Sequence, residues 1–178
     1  MKYFETLTEA MYLLSKNKKT IFIGQAVNYP GTAMFKTLNK VNKKKIIEMP
    51  VAEEMQMGIT TGLALEKWIP VSIYPRYNFL LLAINQLVNH LDKVKSISNG
   101  EYNSKVIIRT SVGSKYPLNP QHQHLGNYSS SIKKMLTNIE IINLKETNQI
   151  IPSYKKALSR KDGRSTILVE YGDYYNSK

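Results

Sequence analysis

The sequence predicts an α/β fold: a single doubly wound, mostly parallel sheet with helices on both faces. Three observations predict it. Segments with apolar residues at helical spacing alternate with short strand runs along the chain. Several of those runs, such as "TIFIG", "IPVSIYP", "KVIIRT" and "STILVEY", are continuous β-branched stretches, as expected for strands covered on both faces. The 178 residues show no internal repeat, low-complexity segment or linker, which predicts one domain with a real core.

The elements follow in order. "YFETLTEAMYLLSKN" is a first helix by its apolar spacing, and "TIFIG" is a buried strand ending in Gly24. "NYPGTAMFKTLNKVN" opens on turn residues and continues as a short helix or loop, and "KKIIEMP" is a short strand. Glu53 to about Lys67 is helical, and "IPVSIYP" is a strand. Asn78 is the expected N-cap of a long helix reaching about Ile97. "SNGEYNS" is a turn, "KVIIRT" a strand and "SVGSKYPLNPQHQHLGNYS" a long loop. "SIKKMLTN" is a short helix and "IEIINL" a strand. "IPSYKKALSRKDG" is a helix with Pro152 in its first turn, and "STILVEY" closes the sheet.

Composition narrows the function. Hydrophobic content of 42% and aromatic content of 10% suit a folded protein. No apolar run reaches a membrane span, because "FLLLAINQLV" is interrupted by Asn85 and Gln86. The N-terminus carries acids where a secretory leader has a basic region, so no leader is expected. Without cysteine there is no disulfide or thiolate chemistry, and a cytoplasmic setting is expected. The net charge of +12 comes from 21 lysines and 4 arginines. The lysines are scattered, so the charge reads as a soluble surface favouring acidic partners or anionic ligands, not a nucleic-acid site. No set of His, Asp and Glu has metal-ligand spacing, and there is no nucleophile elbow.

In open α/β sheets, ligands bind beyond the carboxyl ends of the strands. Three predicted strand ends carry candidate groups: Glu53 after "KKIIEMP", the stretch Pro75–Phe79 after "IPVSIYP", and His122 in the loop after "KVIIRT". Glu54 is then a solvated first-turn acid, and His90 a helix-surface residue. Gly58 and Gly62, four apart, offer a small helix face for close packing.

These residues resemble a known group. "PVAEEMQMGITTGLAL" is similar to the glutamate motif of pyrimidine-binding domains in thiamin-diphosphate enzymes. The β subunits of 2-oxo acid dehydrogenase E1 components are the nearer resemblance, and the transketolase-like branch also fits. Pro70, the Asn78-Phe79 pair, "AINQLVNHLDKVKSISNG", "VIIRTSVG", "QHQH" and "STILVEYGDYYN" fall in the order of that family's motifs, from about residue 4 to 175. The resemblance implies that Glu53 bonds the cofactor's pyrimidine N1′ and favours the imino tautomer that acts as base. It implies that Phe79 stacks on the aminopyrimidine, with core packing as the other reading. It implies that His122 contacts substrate, with His124 as its rival because "QHQH" can shift by two.

The departures matter as well. Gln25 and Ala26 stand where the family has an acidic pair, so an acidic relay between sites is not expected. Ala52 replaces a serine and Met55 a glycine, and "SKYPLNP" lacks the Gly/Ala-rich character of the substrate loop. The family's Gly-Asp-Gly Mg²⁺-diphosphate motif and its C-terminal domain are not found. The resemblance therefore implies a pyrimidine-binding subunit acting with a partner chain that holds the diphosphate and Mg²⁺ of thiamin diphosphate, in a homo- or hetero-oligomer. Its substrate would be a 2-oxo acid or ketose-like donor. The alternative is a non-catalytic assembly or regulatory module that retains the fold.

Overall fold

The computed structural model describes residues 2–103, 105–116 and 119–177. In chain order the elements are α1 (Tyr3–Ser15), β1 (Thr20–Gly24), α2 (Ala33–Lys36), β2 (Ile46–Glu48), α3 (Glu53–Leu65), β3 (Ile69–Tyr74) and α4 (Tyr77–Leu81). A π-helical turn (Gln86–Leu91) and α5 (Val94–Ile97) follow. Then come β4 (Ile107–Val112), α6 (Ser129–Met135), β5 (Glu140–Asn143), α7 (Thr147–Ser159), β6 (Thr166–Tyr171) and α8 (Tyr174–Ser177). The six strands form one sheet in the order β2-β1-β3-β4-β6-β5. Every pairing is parallel, so the expected fold class is observed.

Parallel neighbours need crossovers, and the crossovers cover both faces. On one face α1 and α7 bury Tyr3, Leu7, Leu14, Ile150 and Tyr154 against Phe22 of β1 and Leu168 of β6. On the other, Met57 of α3, Leu80 of α4 and Ile132 of α6 pack on Tyr74 and Ile108. β1 and its neighbour β3 approach closely at Gly24. A Cβ at Gly24 would lie 2.6 Å from the Ile73 carbonyl oxygen, so only glycine fits there.

The centre of the first face is ionic. Arg109 on β4 and Glu170 on β6 are both fully buried. The guanidinium donates to the carboxylate from Nε at 2.5 Å and from Nη2 at 3.0 Å. Its Nη1 donates to Thr37 Oγ1 at 2.8 Å. The Tyr154 hydroxyl donates to the same carboxylate at 2.6 Å, and the Tyr175 hydroxyl does so too. Burial, and then the Glu170 charge, push both phenols well above their ordinary range, so both remain donors.

Three local expectations are corrected. Asn78 does not cap a helix: α4 begins at Tyr77 after Arg76, and the Asn78 amide is spent on a distant loop. The long helix expected to reach Ile97 is broken by the π turn, where Asp92 N–H bonds Leu87 O five residues back. That wider turn presents Asp92 to residues 137–139, whose backbone N–H groups all donate to its carboxylate. Finally, α7 starts at Thr147, not beside Pro152, which lies inside the helix. Gln149 Oε1 accepts from Glu146 N–H at 3.1 Å and starts the helix early. The carbonyl that Pro152 leaves unpaired is that of exposed Asn148, which water can reach. Pro117 and Leu118 of "SKYPLNP" and Ser104 of "SNGEYNS" lie outside the described residues.

Two predictions follow from the buried charges. Glu170→Gln leaves Arg109 buried without a counter-charge and should cost about 3–5 kcal/mol in urea unfolding. The double replacement of Arg109 by Met and Glu170 by Leu should cost less, since no lone charge remains. For Asp92, burial alone would raise the pKa, but the Thr137 N–H, the Lys93 ammonium and the Asn138 N–H outweigh it and hold the carboxyl below its ordinary value. Its stabilisation is complete above the unfolded value of about 3.9 and is lost as pH falls through the lower folded value. Asp92→Asn should remove that acid-side slope and destabilise by about 1–3 kcal/mol at neutral pH.

Candidate functional site

The carboxyl ends of the strands gather the candidate residues, and α3 is fixed over them by polar bonds. Gln56 Nε2 donates to Ser72 Oγ at 3.1 Å and to Ile73 O at 3.0 Å, and Thr60 Oγ1 donates to Ser72 Oγ at 3.0 Å. Tyr74 OH donates to Glu53 O at 3.4 Å. Burial, with a smaller push from the Glu53 carboxylate, raises the Tyr74 pKa, so the phenol remains a donor.

Glu53 itself is the first residue of α3 and only 6% exposed. Among the described residues its carboxylate accepts no hydrogen bond. It lines an open cavity of about 810 Å³ with Met55, Gly58, Ile59, Leu82 and Gln86. Glu54, by contrast, is exposed. It is more than a solvated neighbour, because its Oε1 accepts from Asn85 Nδ2 at 3.1 Å and from Gln86 Nε2 at 3.5 Å. Gly58 has only the Gln86 side chain near it, and a Cβ at Gly62 would meet nothing within 4 Å. The close helix packing expected of these glycines is therefore absent within the described chain.

Phe79 packs at the edge of the core and beside a histidine of the loop after β4. Its ring is half-buried against the α4 and α6 core, and it also lies 5.2 Å from the His124 ring, tilted by 58°. His124 is half-buried, and its Nδ1 is buried without a partner. His122 is exposed on the same loop, and His90 is exposed on the π turn. The structure thus brings Phe79 together with His124, while Glu53 opens on a separate cavity that neither of them lines.

Three groups at this edge make contacts that the sequence does not announce. Asn78 Nδ2 holds the histidine loop by donating to Gln123 O at 2.9 Å and to Tyr128 OH at 2.8 Å. Arg76 Nη1 donates to Ser114 O and to His124 O, each at 3.4 Å. Burial lowers the Arg76 pKa, and the Asp173 carboxylate partly offsets this. One sequence signal was available: Arg76 is among only 4 arginines and stands two residues past a central strand. The third group is Glu48 at the end of β2, whose carboxylate accepts from the backbone N–H groups of Ala26, Val27 and Asn28 at 2.6, 2.9 and 2.6 Å. A carboxylate thus fills the turn after β1, although Gln25 and Ala26 carry none.

Comparison with known proteins matches this architecture. The family model "Transketolase, pyrimidine binding domain" matches residues 1–175. The chain is 27% identical over 134 residues to the pyruvate dehydrogenase E1 component subunit beta of Mesostigma viride, covering 72% of this chain and 41% of that protein. It is 29% identical over 135 residues to the same subunit of Gracilaria tenuistipitata var. liui, covering 72% and 42%. The chain thus spans about two fifths of these curated relatives. A solved structure titled "Split gene transketolase, inactive beta4 tetramer" superimposes with a TM-score of 0.64 at 16% identity, over 97% of this chain and 52% of that one. It supports the fold. With a family match over nearly its whole length, the chain belongs to the transketolase pyrimidine-binding domain family.

Proposed function

We propose that this chain is the pyrimidine-binding subunit of a split thiamin-diphosphate enzyme acting on a 2-oxo acid or ketose-like donor, by decarboxylation or by aldehyde or acyl transfer. A partner chain carries the diphosphate and Mg²⁺ site, and the cysteine-free composition suits a cytoplasmic setting.

One observation carries the reading. Among the described residues three carboxylates are buried: Glu53, Asp92 and Glu170. Asp92 and Glu170 are saturated by donors, and Glu53 has none. A buried acceptor with no donor needs a ligand or water to satisfy it. The pyrimidine end of the cofactor fits this place, since Met55, Ile59 and Leu82 give the cavity apolar walls. When bound, thiamin diphosphate supplies an acidic thiazolium C2 and an aminopyrimidine that helps remove its proton. Glu53 would hold a proton between its own oxygen and the pyrimidine N1′. Phe79 would orient the ring by stacking. His122 or His124 would meet the substrate from the loop after β4.

The same cavity suggests where the partner docks. Leu82 is 63% exposed, Met55 46% and Ile59 41%, and all three line it. An apolar stripe beside an unfilled carboxylate fits a surface that another chain covers.

Two measurements test this. In the reconstituted complex, Glu53→Gln should slow exchange of the thiazolium C2 proton by orders of magnitude, because the amide cannot exchange a proton with N1′. Glu54→Gln keeps its acceptor oxygen and should exchange like wild type. Equal rates in all three proteins would favour the non-catalytic module. Calorimetry on the isolated chain should show poor thiamin-diphosphate binding, and tight Mg²⁺-dependent binding without a partner would defeat the split-site reading.

A further inference from the structure

We propose that a second cavity, at the amino ends of the strands and lined by Trp68, Tyr102, Lys19, Lys67 and Lys105, binds a small aromatic anion of the nucleotide class. It lies at the other end of α3 from Glu53. That helix has 13 residues and is about 20 Å long, and the two cavities share no lining residue. A volume of about 610 Å³ suits one ligand of this size. Four segments distant in sequence meet there. Lys19 precedes β1, Lys67 and Trp68 precede β3, Tyr102 and Lys105 precede β4, and Arg160 follows α7. The Ile69 N–H donates to Lys19 O at 2.8 Å and joins the first two of them.

Both rings in the cavity wall are available: Trp68 is 42% exposed and Tyr102 50%. Such rings offer a planar partner stacking area. The cations are available too. Lys67 takes a φ of +66° as α3 ends; its N–H donates to Ala64 O at 3.0 Å, and the Trp68 N–H to Leu63 O at 3.1 Å. Backbone groups thus fill these helix carbonyls, and the Lys67 ammonium is not needed for them. Among the described residues no carboxylate pairs with the Lys19 or Lys67 ammonium. Lys105 is half-buried, and its ammonium donates to Leu158 O at 2.5 Å and to Arg160 O at 2.6 Å, both neutral carbonyls. An ammonium has three donors, so one remains. Burial pulls the Lys105 pKa below its ordinary value, and the Asp162 carboxylate offsets this only in part. An anion in the cavity would supply the missing counter-charge. Arg160 is already spent on Glu140 and Asp162. Glu101 is the single acid of the lining, and the carboxyl ends of α3 and α7 add about half a negative charge each. Three ammonium groups outweigh them.

Trp68 is the single tryptophan of the chain, so its fluorescence reports on this cavity. The full chain would be titrated with ADP, adenosine and pyrophosphate at constant ionic strength, with excitation where adenine does not absorb. ADP should change the emission saturably. Adenosine and pyrophosphate should each bind roughly tenfold more weakly, since each offers one part of the contacts. Lys67→Gly removes the ammonium and suits the positive φ, so it should raise the unfolding midpoint yet weaken ADP binding about threefold. Adding Lys19→Gln should bring the loss to about tenfold. Tyr102→Ala should weaken ADP and adenosine but not pyrophosphate. Glu53→Gln should titrate like wild type, which keeps this site independent of the cofactor reading. A linear change without saturation, pyrophosphate binding as tightly as ADP, or an unchanged titration in the double lysine variant would overturn the site. So would an affinity for oligoadenylate that grows with each added nucleotide, the mark of a general basic surface. Loss of the signal in Glu53→Gln would move the ligand to the cavity beside Glu53 and overturn the assignment.

Discussion

Arg109 and Glu170 sit on neighbouring strands in the middle of the sheet, and neither reaches water. Removing two charges from solvent costs several kcal/mol per ion, and their attraction offsets this only if the remaining donors and acceptors are filled. Here they are. Glu170 receives two guanidinium nitrogens and the hydroxyls of Tyr154 and Tyr175, while Arg109 gives its last face to Thr37. The register pairs Arg109 with Leu168 and Ser111 with Glu170, so the ion pair runs diagonally between β4 and β6. Such a pair tolerates no slip of the two strands. It also draws in α7 through Tyr154, the C-terminal segment through Tyr175 and the end of α2 through Thr37. One face of the sheet is thereby locked by a polar hub inside an apolar core.

The opposite face is arranged differently, and the candidate site belongs to it. Its core is apolar, but its upper edge is held by hydrogen bonds that place loops. Ser72 fixes α3 through Gln56 and Thr60. Asn78 and Arg76 fix the loop after β4. Asp92 fixes the turn before β5. The strand order turns back between β1 and β3, the place where open α/β sheets open a crevice. Glu48 occupies the backbone N–H groups of the turn after β1, so an anion from the chain itself already fills that part of the crevice. Glu53, at the start of α3 beyond β2, stays free of any such bond from the described residues.

Much of this was legible in the residues. The six strands announced themselves because parallel strands buried on both faces must be continuously apolar, and "TIFIG" and "STILVEY" are. Glu53 and Phe79 were visible because a helix start and a strand end put them at the carboxyl edge. The missed features are long-range. Nothing local to "NHLDKVK" tells that Asp92 will take three backbone donors 45 to 47 residues away, so the π turn that presents it was read as ordinary helix. Asn78 looks like a cap by residue type, and only the distant loop claims its amide. The start of α7 was misplaced because Pro152 is a strong local signal for a first turn, while the Glu146–Gln149 bond that starts the helix is weaker in sequence. Arg109 lies in "VIIRTSVG" and Glu170 in "STILVEYGDYYN", and their pairing depends on β4 and β6 being neighbours, which sequence order hides.

Hydrogen-bond accounting distinguishes the site from the scaffold. Where this fold buries an acid for structure, it surrounds it with donors: Asp92 and Glu170 are filled, and half-buried Glu48 is as well. Where it buries a cation for structure, it supplies carboxylates, as for Arg109. Glu53 breaks that rule: it is buried, no described residue donates to its carboxylate, and it faces the open cavity beside α3. Enclosed side-chain atoms without partners also occur in the scaffold, as Thr20 Oγ1 and Thr166 Oγ1 do, but those are neutral hydroxyls. A domain that did nothing but fold would gain nothing by withdrawing a carboxylate without donors. Glu53 calls for a donor from outside the described chain, as a pyrimidine nitrogen bearing a proton is.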